Sequence, residues 1–403
     1  GNTINASHPV VGSMIIDSLL WWSEVIGVDG FRFDLTTSLS RESNSNESRE
    51  SNRVSLIDAI STHPILSRRK LIAEPWDVAG YSLGQFPPPW REWNDRFRDG
   101  VRNYWLSSHA EQRSVGVADL ARRISGSDDI FAGRGPDASI NFITAHDGFT
   151  LHDLVTFQVK ENSPNGENNR DGSEKNLAWN IGFEGETEDR YINQLRHRLK
   201  KSLAGTLLLS AGVPMLVMGD ELSRSQNGSN NAFTIDRNRP VEAYENFAGG
   251  LALPWSNYQS EIASDLMESI ARLTEIRSKY LNHLISEFFT GGVDTSTQRK
   301  DIAWFDINGK ELDHNDWHDQ SRDHLSIYFS AHRNQGLLVL LNASLEEQDF
   351  QLPQSEWGDS YRCIFDSSLA IKDFEPQIRG AGEKIDLAPL ALHAWLVLIH
   401  TEK

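Results

Sequence analysis

Asp29-Gly30-Phe31-Arg32-Phe33-Asp34 is the stretch on which the fold turns. Aromatic residues alternate with Gly and Arg over a few positions, and the run closes on a carboxyl, which reads as a short strand ending in an acid. A helical pattern precedes it: Val10, Met14, Ile15, Leu19, Trp22 and Ile26 recur at helical spacing, and Gly27 closes the run. Further along, Lys70-Leu71-Ile72-Ala73-Glu74 repeats the arrangement, a buried strand ending in an acid, and Ser139 to Ala145 does so again just before His146-Asp147.

Between and after these lie helical patterns at Val54 to Ile60, Phe97 to Leu106, Leu195 to Ser210 and Ile262 to Tyr280. Further strands are expected at Trp90 to Trp93 and at Val213 to Met218. Strands alternating with helices argue for parallel βα units. From about residue 282 the texture changes to short apolar runs with turns between them, at 325–329, 336–341, 361–365 and 394–398. These predict an all-β sandwich. The expected domains are therefore 1–281 and 282–403. Ser40 to Asn52 is almost wholly Ser, Asn, Glu and Arg, and predicts a mobile surface loop.

The 403 residues carry a net charge of −18, which disfavours nucleic acid and anionic membranes as partners and suits a neutral substrate. With Cys363 as the single cysteine, no intrachain disulfide forms. No uninterrupted apolar run of bilayer-spanning length is present, so no membrane span is expected. His109, His152 and His197 lack metal-ligand spacing, and no Gly-rich phosphate loop follows a strand, so neither metal nor nucleotide cofactor is expected.

One Asp after an apolar strand is usually a helix cap or a turn residue. Acids at the ends of three parallel strands are another matter, because strand C-termini share one mouth in a (β/α)₈ barrel. A raised and an ionised carboxyl side by side is what retaining glycoside hydrolysis requires, with the two roughly 5–5.5 Å apart.

Gly30-Phe31-Arg32-Phe33-Asp34-Leu35 resembles the nucleophile motif of the α-amylase superfamily, glycoside hydrolase family 13. Ile72-Ala73-Glu74-Pro75-Trp76-Asp77 resembles the acid/base motif of its debranching branch, and Asn141-Phe142-Ile143-Thr144-Ala145-His146-Asp147-Gly148 the third motif. Asn165 to Gly172, Gly212 to Glu221 and Asn230-Asn231-Ala232 are similar to segments of glycogen debranching enzymes and isoamylases. The likeness covers nearly the whole chain and is weakest over 40–65 and 232–250.

The resemblance implies roles. Asp34 would be the nucleophile, Glu74 the acid and then the base, and Asp147 the holder of the distorted sugar's hydroxyls. Arg32 would keep Asp34 ionised, and His146 would donate to hydroxyls beside the scissile bond. Among the tryptophans, Trp76 and Trp93 are expected at the cleft, while Trp395 is expected in the core of the β domain. The implied reaction is hydrolysis of α-1,6 branch linkages in glycogen- or amylopectin-type glucans. The alternatives are another α-amylase-type glucan hydrolase, or an inactive fragment or non-catalytic glucan-binding subunit. Bacterial cytosol and plastid stroma both fit.

Nothing in the chain matches the family's N-terminal sandwich or its first three barrel strands, and Gly1 to Val11 resembles the loop before the helix leading into strand four. The expected fold is thus a partial (β/α)₈ barrel, about strands 4–8, followed by a C-terminal β-sandwich. The isolated chain is expected to be poorly stable or inactive unless the missing half is supplied in trans.

Overall fold

The computed structural model describes residues 4–40, 55–232, 253, 255–282, 286–293, 298–331 and 335–399. The polar stretch read as a mobile loop falls, beyond Ser40, outside the described residues, as does most of 232–250.

Five short strands form one parallel sheet: β1 (Gly30–Phe33), β2 (Lys70–Ala73), β3 (Arg91–Asn94), β4 (Ser139–Phe142) and β5 (Val213–Met215). They lie in sequence order, each paired with the next, with β1 and β5 as the outer strands. Helices join them: α1 (Pro9–Trp21), α2 (Leu56–Thr62), α3 (Asp95–Arg102), α4 (Ala118–Ile124), α5 (Arg190–Leu208) and α6 (Glu261–Tyr280). Their starts are fixed by short polar side chains. Ser55, Asn94, Asp189 and Ser260 each accept a hydrogen bond from a backbone N–H of the first turn, satisfying a donor the helix itself leaves open.

α1 winds into a π-turn over Trp22–Ile26 and stops at Gly27, whose φ of +83° suits a residue without a Cβ. Counted together, Pro9–Ile26 is long and apolar enough, by length and composition only, to cross a bilayer, although Asp17 and Glu24 interrupt its apolar run. Its place in the fold is nonetheless against the sheet. Ile15, Ile16, Leu19 and Leu20 pack on a core of Leu56, Ile57, Ile60, Leu71, Ala73 and Trp90, and Arg69, which immediately precedes β2, pairs with Glu24 at 3.1 Å. The opposite face, with Val10, Met14, Trp21, Trp22 and Val25, is exposed.

The second half is antiparallel. Strands β6 (Ile302–Phe305), β7 (His324–Ala331), β8 (Gln335–Asn342), β10 (Ser360–Asp366), β11 (Ile378–Gly380) and β13 (Ala391–Leu398) make a six-stranded sheet in the order β11-β10-β13-β8-β7-β6. β9 (Gln348–Gln351) pairs with β12 (Lys384–Leu387) as a separate ribbon. The run Leu337–Leu341 is apolar throughout because both faces of β8 are covered. Leu337, Val339 and Leu341 face the core shared with α5 and α6, whereas Leu338 and Leu340 join Phe350, Ile385 and Trp395 beneath the ribbon. One core cluster therefore runs from Phe97 and Leu203 through Leu273 to Leu396, across the change from parallel to antiparallel structure.

Candidate active site

The register of β1 on β2 aligns Phe33 with Ala73, so the residues that follow, Asp34 and Glu74, leave the sheet side by side. Backbone and side chain then lock them. Leu35, at φ +42°, turns its N–H to Glu74 Oε2 at 2.7 Å. The Thr36 hydroxyl donates to Phe33 O at 2.6 Å and accepts from the Glu74 N–H at 3.0 Å. The reciprocal pair Glu74 N–H to Phe33 O and Thr36 N–H to Glu74 O extends the ladder past the last residues of both strands.

Arg32 lies two residues before Asp34, on the same face of the strand. Its Nη1 donates to Asp34 Oδ1 at 2.6 Å and its Nη2 lies 3.0 Å from Glu74 Oε1. One guanidinium thus joins two carboxyls of unlike surroundings. The Asp34 side chain is 69% exposed, that of Glu74 only 5%. Burial pushes the Glu74 carboxyl above its ordinary range and the Asp34 charge adds to this, while the Leu35 N–H, Arg32 and His146 pull the other way.

Trp93, the third residue of β3, carries the guanidinium on its ring face, with Arg32 Cζ 4.2 Å from the ring centroid. The His146 ring lies 5.8 Å from the same indole, and His146 Nε2 is 3.4 Å from Asp147 Oδ2. Both side chains are about half exposed. Trp76, half-buried in a two-residue ribbon with Tyr81, packs on the cluster of Trp93, Ile140 and Phe142. Arg32, Asp34, Glu74, Trp76, Trp93 and His146 therefore lie around one end of the sheet, and Asp147 sits beside His146.

The loop bearing His146 and Asp147 is held from below by a carboxylate given no role from sequence. Asp220 accepts from the Thr144 hydroxyl at 2.5 Å and from the Leu151 N–H at 3.0 Å, closing both ends of the loop. Burial raises its carboxyl to about 6. Arg102 adds a further hold, donating to Ile143 O and Asn176 O. The Asn165-to-Gly172 segment is tied to Asn230-Asn231 by side-chain amides. Asn162 Nδ2 donates to Asn230 Oδ1 at 2.7 Å, and Asn165 Nδ2 and Asn231 Nδ2 both donate to Asp171 Oδ2 at 2.7 Å. A buried Asp just beyond an apolar strand, as in Val217-Met218-Gly219-Asp220, was the available signal for the first of these.

Other tryptophans have different surroundings. Trp90 is buried with its Nε1 on Ser61, Trp179 stacks on His109 in the large core, and Trp395 lies in the core between the six-stranded sheet and the β9–β12 ribbon. Trp255 is exposed. His152 pairs with Glu186 and His197 with Asp265. Among the described residues no cluster of His, Cys, Asp and Glu has a metal-binding arrangement.

No family model matches the chain. A glycogen operon protein GlgX homolog of Mycobacterium tuberculosis is 35% identical over 394 residues, which covers 93% of this chain and 51% of that one. The glycogen debranching enzyme of Pectobacterium carotovorum is 40% identical over 361 residues, 89% of this chain and 49% of that one. Over these lengths the chain is similar in sequence to glycogen debranching enzymes. It spans about half the length of the curated relatives it matches. Two pullulanase structures share the fold: that of Bacillus acidopullulyticus at TM-score 0.62 and 16% identity, with 98% of this chain and 41% of that one covered, and that of Anoxybacillus in complex with maltotetraose at TM-score 0.60 and 19% identity, with 98% and 48% covered.

Proposed function

We propose that the chain carries the catalytic carboxyls of a retaining hydrolase that cleaves α-1,6 branch linkages in glycogen-type glucans. The observation that carries this reading is the pair Asp34 and Glu74, one open to solvent and one buried, joined by Arg32. An exposed carboxylate held by a guanidinium is suited to attack at an anomeric carbon. A buried carboxyl with a raised affinity for its proton is suited to protonate the leaving oxygen. In the first step Asp34 forms an ester to the glucosyl carbon as Glu74 gives its proton to the departing glycosidic oxygen. In the second, Glu74 takes a proton from water, whose oxygen attacks the same carbon and frees Asp34. Asp147 and His146 bind ring hydroxyls, and Trp93 and Trp76 furnish apolar faces for the sugar.

The five parallel strands are read as strands four to eight of an eight-stranded barrel, in a catalytic portion spanning 1–281 with a sandwich over 282–403. The homology to debranching enzymes favours branch linkages over other α-glucan bonds, and a cytoplasmic setting accompanies it. A second reading, glucan binding without turnover, is favoured by the outer edges of β1 and β5, which have no strand partner among the described residues.

The test is mass spectrometry of the chain after brief exposure to a 2-fluoro maltosyl fluoride, with and without the Asp34→Asn change. A glycosyl adduct on Asp34 is expected when the family's N-terminal half is supplied in trans. Glucan binding with neither adduct nor released reducing ends supports the second reading.

A further inference from the structure

A groove of about 940 Å³ opens between the first halves of α5 and α6 and the loop after β10, and it shares no residue with the site around Arg32, Asp34 and Glu74. We infer that this groove is a second binding site for a neutral glucan chain, one that holds the polymer away from the reacting bond. The inference rests on the functional reading above for the class of polymer.

Three features support it. Tyr258, on the turn Trp255–Gln259 that leads into α6, lines the mouth and is 55% exposed. A flat, solvent-facing ring beside a groove offers the platform on which the apolar face of a pyranose packs. Around it stand side-chain amides and a carboxylate, those of Gln194, Gln259, Asn193 and Glu268, which supply both donors and acceptors to hydroxyl groups. The volume lies at the upper end of that of small-ligand clefts, and the groove's open form suits a chain that continues beyond it.

The charges within the groove argue for a neutral ligand over a phosphorylated one. Lys201 and His197 are both on Asp265, at 3.0 and 2.6 Å, and Lys372 is on Glu261 at 3.2 Å. Arg198 is turned to the carbonyl of Pro389 at 2.7 Å. Lys201 and Arg198 are thus engaged inside the protein and Lys372 is paired with Glu261 at the surface, which leaves the exposed Arg190, among the described residues, as the one groove cation outside these pairs, too few to converge on a phosphate.

The experiment is native electrophoresis of the full chain in gels containing glycogen, in an Asp34→Asn background that removes turnover. Tyr258→Ala and Gln194→Ala are each expected to weaken retardation, Tyr258→Ala by about tenfold. Tyr258→Phe, which keeps the ring, is expected to retain it. Maltohexaose in the gel should compete and inorganic phosphate should not. Both side chains are exposed, so melting temperatures should stay at the parent value. Unchanged retardation in Tyr258→Ala and Gln194→Ala overturns the inference, as does competition by phosphate without competition by maltohexaose. Absence of hydrolysis by the parent chain counts against the functional reading alone and leaves the electrophoretic result standing.

Discussion

At the scale of single residues, the contrast between Asp34 and Glu74 makes distinct predictions. Asp34→Asn removes the proposed nucleophile and should lower turnover by at least about a thousandfold. In its proposed role Glu74 must be protonated to act as an acid, so activity should fall as pH rises through its pKa, which burial places above the ordinary carboxylate value of 4.5. Arg32 lowers that pKa, hence Arg32→Gln should move the alkaline limb of the kcat/KM profile to higher pH; a shift to lower pH would sink the assignment. Asp220 bears on stability. Its carboxyl rises from 3.8 to about 6 on folding, so the folded state holds the proton more tightly than the unfolded one. The associated stability is complete below pH 3.8 and is lost as pH rises through about 6, a difference of about 3 kcal/mol. Asp220→Asn keeps an acceptor for the Leu151 N–H and cannot titrate, so thermal melts should show a flatter dependence between those two pH values.

Between strands the fit is tight enough that one methyl group matters. A Cβ at Gly30 would lie 2.3 Å from the carbonyl oxygen of Lys70 and 2.5 Å from its Cβ. Gly30→Ala should therefore part β1 from β2 at their start, cost about 2–4 kcal/mol in chemical denaturation, and reduce turnover by spreading Asp34 from Glu74. Much at this scale was legible in advance. Strands β1 and β2 announced themselves because each is an apolar run ending in an acid, and α5 and α6 because long amphipathic patterns seldom mislead. The expected strand from Ser139 to Ala145 stops at Phe142, because Ile143 gives its carbonyl to Arg102 and Thr144 its hydroxyl to Asp220. Periodicity carries no trace of those two distant partners. β9, β11 and β12 were missed for a different reason: they are three or four residues long and mix polar or charged residues with single apolar ones, so no apolar run marks them. The pairing of Trp93 with Arg32 and His146 depends on strand register, which a local pattern does not encode.

For the molecule as a whole, the open edges of the parallel sheet and the bare apolar face of α1 dominate behaviour in solution. Strand edges with no partner among the described residues and an exposed stripe of Val10, Met14, Trp21 and Trp22 favour self-association. Light scattering should show mass rising with concentration, and Val10→Lys with Met14→Lys should suppress this without lowering the melting temperature. The cluster that runs from Leu203 through Leu273 to Leu392 and Leu396 has the opposite effect on the rest of the chain. Gly205 is part of the reason, since it lets α5 approach Leu392 so closely that a Cβ would meet its side chain at 2.9 Å. Severing the polypeptide after residue 281 would strip the greasy underside of both long helices at once. A calorimeter should accordingly record one endotherm for the parallel and antiparallel halves together, and neither piece should be recoverable alone from a protease digest.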